Sequence, residues 1–188
     1  MENFINLKKK SELLKFHYYK NLKFIKNKDF DKINWKIASL ISEPDIIPIL
    51  EQNINKVDWS CLSQNVAAIH ILVNNMDKVD KFWLSTNASA IYILEQNPSL
   101  IDWVGLHLNP EAFNLFEDNP DKIDWIYISC NFVPTKTTEK LIVEYPDKIN
   151  WLYRDLFGYG YKNYSEITRL ILDKVFEKVE STVSQINQ

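Results

Sequence analysis

The chain contains 188 residues, of which 46% are hydrophobic and 13% aromatic, and its 25 acidic and 22 basic side chains leave a net charge of -3. This length suits one domain or a short row of repeats, and the composition excludes a disordered chain and disfavours a general nucleic-acid binder. Because only three glycines are present, a glycine-rich phosphate-binding loop is disfavoured as well.

The first 32 residues are basic, with nine lysines and four acidic residues, whereas the rest of the chain has 13 basic and 21 acidic residues. Apolar residues and lysines interleave between Leu13 and Lys26, which predicts an amphipathic helical cap over residues 1–31. The lysine face of this cap is either solvated or a site for an anionic partner. The candidates for that site are Lys8, Lys9, Lys10, Lys15 and Lys20. Only two arginines occur in the chain, which disfavours nucleic acid as the partner because arginine is preferred for phosphate and guanine contacts.

Lysines interrupt the N-terminal stretch where a signal peptide needs an apolar core, and no apolar run is long enough to span a membrane. The two cysteines, Cys61 and Cys130, are far apart and lack the spacing of metal ligands. We therefore expect an intracellular protein with reduced thiols, no membrane association, no metal and no cofactor.

A repeat of 22 residues occupies residues 32–151. Its copies align on a tryptophan preceded by Asp or Asn, and they begin at Lys32, Lys56, Lys78, Leu100, Lys122 and Lys148. The first copy has a two-residue insertion and the fifth a four-residue insertion. The third copy has Lys81 in place of the tryptophan, and Trp83 follows two positions later.

Each copy predicts two short helices. The Asp before the tryptophan is typical of an N-cap, and the apolar residues around it have the spacing of a hydrophobic staple. An asparagine, Asn65 in the second copy, predicts the start of the second helix, in which Ile69 and Leu72 stand three apart on a buried stripe. The asparagines that end this helix are predicted to adopt a left-handed conformation. They are Asn75, Asn97 and Asn119.

A 22-residue unit buries too little apolar surface to fold alone, so we expect consecutive copies to cover one another. The predicted fold is all-α: an α-solenoid of stacked short helical hairpins with amphipathic N- and C-terminal capping helices. The tryptophans are expected to pack between copies rather than to stack on a ligand. Trp83 is the best candidate for an exposed aromatic residue.

The stretch ASAIYILEQNPSLIDWVGLHLNPEAFNLFEDNPDKIDW, residues 88–125, resembles a short repeat that is abundant in proteins of nucleocytoplasmic large DNA viruses. The resemblance covers most of residues 32–151, and the bias toward Lys, Asn and Ile agrees with an AT-rich source of that kind. It implies a location in the host cytoplasm or the virion. Because these repeat proteins are mostly uncharacterised, it carries over no catalytic residues. The first copy departs from the pattern, with Glu43 where asparagine is expected.

Residues 152–188 follow the repeat as a loop and a predicted amphipathic helix with apolar residues from Ile167 to Ile186. This helix either covers the last copy or supports a homo-oligomer through an exposed apolar stripe.

No combination of residues typical of an enzyme stands out. His17, His70 and His107 belong to different units, and no Ser-His-Asp, Cys-His or paired-carboxylate set can be assembled from the pattern. The aspartates of successive copies are one repeat apart, which is too far for a shared metal ion. We therefore expect a protein without enzymatic activity.

These observations predict a repeat scaffold that binds another protein, from host or virus, through exposed positions of the solenoid. The candidate residues are the variable positions of the second helices, the unusual tryptophan and a residue of the irregular fifth copy. They are His70, Trp83, Tyr92, Asn114 and Lys136. The alternatives are a self-associating structural or virion-associated protein and, less favoured, nucleic-acid binding through the basic N-terminal region.

Overall fold

The computed structural model describes residues 15–130 and 135–150. Every regular element within these ranges is a helix, which confirms the all-α prediction. The predicted loop and helix at 152–188 and Lys8, Lys9 and Lys10 lie outside the described residues.

The α-helices are short, and each described copy of the repeat contains two of them. In chain order they are α1 (15–26), α2 (Trp35–Ser39), α3 (Ile47–Gln52), α4 (Trp59–Ser63), α5 (Ile69–Val73), α6 (Lys81–Thr86), α7 (Ile91–Gln96), α8 (Trp103–Leu106), α9 (Phe113–Asp118), α10 (Trp125–Cys130) and α11 (Lys136–Glu144). Single turns of 3-10 helix join one copy to the next at Met76–Lys78, Pro98–Leu100, Pro120–Lys122 and Pro146–Lys148.

The chain divides into two compact units, Met1–Asp102 and Trp103–Gln188. In the first unit, α4 contacts both α2 and α6, so the first helices of neighbouring copies lie side by side. In the second unit, α9 contacts α11, which are the second helices of neighbouring copies.

The residue before each tryptophan caps its helix as the sequence predicts. The Asp58 carboxylate accepts a hydrogen bond from the Cys61 N–H at 2.9 Å, and this bond holds the pKa of Asp58 below its usual value. The same cap occurs at Asn34, Asp80 and Asp124. These caps satisfy backbone donors that the start of a helix leaves without an intrahelical partner.

A buried hydroxyl links the first helix to the next copy in all described copies but the fourth. Ser39 donates a hydrogen bond to the Trp35 carbonyl at 2.8 Å and accepts one from the Asp58 N–H at 3.0 Å. Ser63 and Ser129 make the same two bonds with their own neighbours. The hydroxyl therefore bonds both the backbone of its own helix and the start of the following copy.

His107 stands at this serine position in the fourth copy. Its Nδ1 lies within hydrogen-bond distance of the Trp103 carbonyl, and its Nε2 accepts a hydrogen bond from the Asp124 N–H at 3.0 Å. The ring is 2% exposed and lies 4.6 Å from the Phe116 ring, centroid to centroid. Because Nε2 must accept, the neutral imidazole with its proton on Nδ1 is the form that fits, and burial lowers the pKa of His107 below its ordinary 6.5.

A buried asparagine makes a second link in the opposite direction. The Asn65 amide donates to the carbonyls of Ser39 and Ile41 in the preceding copy, both at 2.9 Å, and its oxygen accepts from the Ala67 N–H at 3.0 Å. Asn87 repeats this pattern with the Ser63 carbonyl. Asn65 therefore bonds the neighbouring copy and begins a turn, but it does not cap the second helix as predicted, because α5 begins at Ile69 with Ala68 as its N-cap residue.

The first copy follows α1 instead of another copy, and its linking residues differ accordingly. Asn21 on α1 accepts from the Asn34 N–H at 2.7 Å and donates to the Asn34 carbonyl at 3.1 Å. Tyr18 donates its hydroxyl hydrogen to the carboxylate of Glu43, the residue that replaces asparagine. Burial, with Glu43 as a further contributor, raises the pKa of Tyr18 to about 12.

Two further predictions about the second helix are wrong. The asparagines that end it are not left-handed, with φ of -142° at Asn75 and -132° at Asn97. The Asn75 backbone N–H bonds the Leu72 carbonyl, and its side-chain amide donates to the Ile71 carbonyl, four residues earlier, at 2.9 Å. The side chain therefore supplies the donor that a continued helix would have supplied. The buried pair in the second copy is Ile71 and Leu72, while Ile69 is only half-buried.

The tryptophans at the starts of the first helices are half-buried. Lys56 places its ammonium 5.2 Å from the centre of the Trp35 ring, and Lys78 does the same over Trp59 at 5.1 Å. In both cases the lysine begins the following copy. The ring therefore contacts the neighbouring copy, as predicted, and the contact is a cation–π interaction with the lysine ammonium.

We expect the stability of the protein to fall in mild acid because of His107. Its pKa is about 6.5 when unfolded and lower when folded, so the unfolded state binds the proton more readily. The neutral His107 therefore contributes fully to the free energy of unfolding above about pH 6.5. This contribution is lost as the pH falls through the lowered pKa of His107 in the folded protein, and the free energy of unfolding then falls by up to about 1.4 kcal/mol per pH unit. Urea unfolding from about pH 7.5 to about pH 5 measures this.

His107→Ser is the matched variant, since serine forms both hydrogen bonds in other copies. It should unfold at lower urea concentration at neutral pH because the ring leaves a void beside Phe116. It should also show a weaker pH dependence than the native chain. Equal pH dependence in the two proteins would contradict the assignment.

We expect Asn65→Asp to destabilise the fold by about 2–4 kcal/mol, because a carboxylate cannot donate to the two carbonyls and would be buried against them. Asn74→Asp makes the same chemical change at an exposed position and should cost about 0.5 kcal/mol or less. Thermal unfolding of both variants gives the comparison. Similar losses in the two would mean that the buried amide does not link the copies.

Candidate functional site

The variable position of the second helix is exposed in each copy that the structure describes from the second onward. His70, Tyr92 and Asn114 occupy it, and we call these the slot residues. Tyr92 is 47% exposed, whereas the two residues after it, Ile93 and Leu94, are buried. The backbone thus presents one side chain per copy to solvent beside a buried apolar pair.

The fifth copy places Lys140, not Lys136, at the slot position. Lys140 is exposed and is followed by the buried pair Leu141 and Ile142, as Asn114 is followed by its own buried pair. The four-residue insertion therefore lies before α11. The sequence contains the signal, because Leu141 and Ile142 are the apolar pair of that copy, whereas Lys136 was selected only as a residue of the irregular segment.

Two slot residues contact the second helix of the preceding copy. His70 Nε2 lies 2.7 Å from a carboxylate oxygen of Glu51, and the Lys140 ammonium lies 4.8 Å from the centre of the Phe113 ring. These are exposed side-chain contacts that fix little structure. A partner can therefore replace them at small cost.

A shallow groove of about 170 Å³ in the second unit brings together Asn114 and Lys136, two of the residues predicted from the sequence. Glu111, Phe113 and Lys140 also line it. Lys136 pairs with the Glu111 carboxylate at 2.7 Å, and both side chains are largely solvent-exposed. The groove offers two ammonium groups, a carboxylate, an amide and an aromatic ring, which suits a polar peptide segment.

The other predicted residues lie apart from this groove. His70 and Tyr92 belong to the first unit. Trp83 on α6 is 37% exposed and meets the Phe82 ring edge to face at 5.0 Å. Lys15 and Lys20 lie exposed on α1.

The described side chains hold little that resembles a nucleophilic or metal centre. Cys61 is buried, and burial, with the Asp58 carboxylate as a smaller contributor, raises its pKa to about 11. This thiol is therefore protonated near neutral pH and is a poor nucleophile. Within 15–130 and 135–150, no three His, Cys, Asp or Glu side chains gather as metal ligands would. The helices in these ranges are also too short or too polar to cross a membrane.

Each described copy from the second onward thus exposes one residue at the variable position, and in the second unit a groove lies beside Asn114, Lys136 and Lys140. Hydrogen-bonding side chains backed by a rigid apolar layer can hold a macromolecular partner without a deep cavity. Comparison of the chain with protein-family models, curated proteins and solved structures finds no match.

Proposed function

We propose that this chain is a non-enzymatic helical-repeat protein that binds another protein through the slot residues and the groove beside Asn114. The observation that carries the proposal is the alternation in the second helix, where an exposed residue of changing chemistry precedes a buried apolar pair. Imidazole, phenol, amide and ammonium groups occupy the exposed position at His70, Tyr92, Asn114 and Lys140. A surface that varies on a constant scaffold is how repeat proteins acquire specific partners.

Within each unit, we infer that the copies stack as in an α-solenoid, with α1 covering the first copy. Support comes from the repeated hydrogen bonds between neighbours, such as Ser39 to Asp58 and Asn65 to Ser39. Asn21 on α1 supplies the first copy with the bond that serine supplies later.

We further propose a viral source and a site of action inside the host cell or in the virion. The support is the resemblance of residues 88–125 to the repeats of nucleocytoplasmic large DNA viruses. Partner binding in the host cytoplasm fits a chain whose described surface is acidic beyond residue 36, with 16 acidic and seven basic residues between 37 and 150.

The test is an affinity capture with two matched variants of the full chain. The slot variant carries Tyr92→Glu, Asn114→Glu and Lys140→Glu, and the control carries Asn55→Glu, Ser99→Glu and Lys36→Glu. Both change the net charge equally, and all six positions are exposed. We expect proteins from infected-cell lysate that bind the native chain and the control to be retained about tenfold less by the slot variant, because contact residues of this kind dominate affinity.

Thermal unfolding must show that both variants fold as the native chain does. Equal retention by the slot variant and the control would exclude this surface as the binding site. Recovery of only further copies of the chain, with a dimer or larger species in light scattering, would favour self-association through residues 165–188 instead.

A further inference from the structure

A cluster of cationic side chains meets an aromatic ring where α1 faces the start of the first copy. The ammonium of Lys20 lies 5.8 Å from the centre of the Phe16 ring and 5.9 Å from that of Phe24. The ammonium of Lys32, from the turn after α1, also lies 5.9 Å from the centre of the Phe24 ring. Two positive charges therefore converge on one ring from different elements.

Lys20, Phe24 and Lys32 line a pocket of about 130 Å³. His17, one helical turn before Lys20, and Asn34 also line it. Hydrogen bonds fix two lining residues of the pocket relative to each other, because Asn21 is buried and bonds both the N–H and the carbonyl of Asn34. The cationic groups thus stand on a fixed frame made by α1 and the first residues of the repeat.

The local charge is strongly positive and little of it is compensated. Residues 15–36 contain seven lysines and only Asp29 and Asp31 as acidic residues. Asp29 lies 3.6 Å from the Lys32 ammonium and is partly exposed. Within the described part of the chain, no carboxylate pairs with Lys20, whose contacts are the two phenylalanine rings. Like charges held near one another in this way favour an anion between them.

We propose that this pocket binds a phosphate group, with Lys20 and Lys32 as the charge partners and His17 as a further hydrogen-bond donor. A phosphate monoester carries a charge of about -1.5 to -2 near neutral pH and three acceptor oxygens, which suits two ammonium groups better than the single charge of a carboxylate. Lysine binds phosphate as a point charge and needs no fixed fork geometry. The Phe24 ring contacts both ammonium groups, and all three side chains line the pocket. This site is separate from the slot residues and does not depend on the proposed protein-binding function.

The same phosphate chemistry occurs in small phosphorylated molecules and in lipid headgroups, and the experiment separates the two. The full chain, labelled with nitrogen-15, is titrated with inorganic phosphate and with soluble inositol trisphosphate at constant ionic strength, because diffuse attraction is screened by salt. Sedimentation with phosphatidylcholine vesicles, with and without a minor fraction of phosphatidylinositol 4-phosphate, gives the lipid arm.

We expect saturable shifts of the backbone amides of His17, Lys20 and Lys32. Lys20→Gln and Lys32→Gln should each weaken binding about tenfold, as expected for loss of a charge-assisted hydrogen bond. Lys26→Gln is the matched control, since Lys26 lies exposed on α1 but does not line the pocket. Lys20→Arg should retain binding.

Binding of the soluble probes without binding of the phosphoinositide vesicles identifies a small phosphorylated ligand, and binding of those vesicles identifies a lipid headgroup. The proposal is overturned if neither probe type binds, or if Lys26→Gln loses as much affinity as Lys20→Gln. It is also overturned if the same amides shift with protein concentration in the absence of phosphate, because a second copy of the chain would then occupy the pocket.

Discussion

The helices of this repeat are so short that they cannot satisfy their own backbone. An α-helix leaves its first four N–H groups and last four carbonyls without intrahelical partners, and α2 spans only Trp35–Ser39. A buried backbone group without a partner costs about 1–3 kcal/mol, so other groups must bond those left over. Ser39 and Asn65 provide these bonds across the boundary between copies. The fold therefore depends on buried side chains that bond the backbone of the neighbouring copy.

This constraint explains why departures from the repeat occur together. Glu43 replaces an asparagine donor with an acceptor, and the neighbouring α1 supplies the donor Tyr18. The third copy has Lys81 instead of tryptophan, and the lysine that would cover that ring is replaced by Leu100 in the next copy. Lys81 bonds the Ser99 carbonyl instead. At these two positions, the residue and its partner across the boundary change together.

Local rules of helix capping were readable from the sequence, because they involve residues three apart. The Asp58 and Asp80 caps are examples. The link between copies was not readable, since nothing local shows that the Asn65 amide points to Ser39, 26 positions earlier. The prediction of left-handed asparagines was wrong for a related reason: at Asn75 the side-chain amide bonds the carbonyl that the backbone N–H of a continued helix would bond, so no unusual φ is needed.

The candidate site also combines features that the local sequence predicts with features that depend on packing between helices. Exposure of His70 and Tyr92 follows from the hydrophobic pattern of each copy, whereas the groove at Asn114 depends on how α11 lies against α9. The irregular segment of the fifth copy therefore indicated one groove residue, Lys136, but not the slot residue Lys140. The insertion shifts the register only before α11, and the buried pair Leu141 and Ile142 restores it.

The residues that link the copies and the slot residues occupy different positions of each copy. The serine position lies in the first helix and the asparagine position precedes the second helix, and both bond backbone groups of a neighbouring copy. The linking positions are therefore restricted to small side chains with the right donor or acceptor, or to a ring such as His107 that reproduces both serine bonds. The described contacts of the slot residues are with side chains: His70 meets Glu51 and Lys140 meets Phe113. Exposed contacts of this kind contribute little to folding. The slot residues can therefore change from copy to copy without disturbing the bonds that hold the copies together, which is the property a binding surface on a repeat requires.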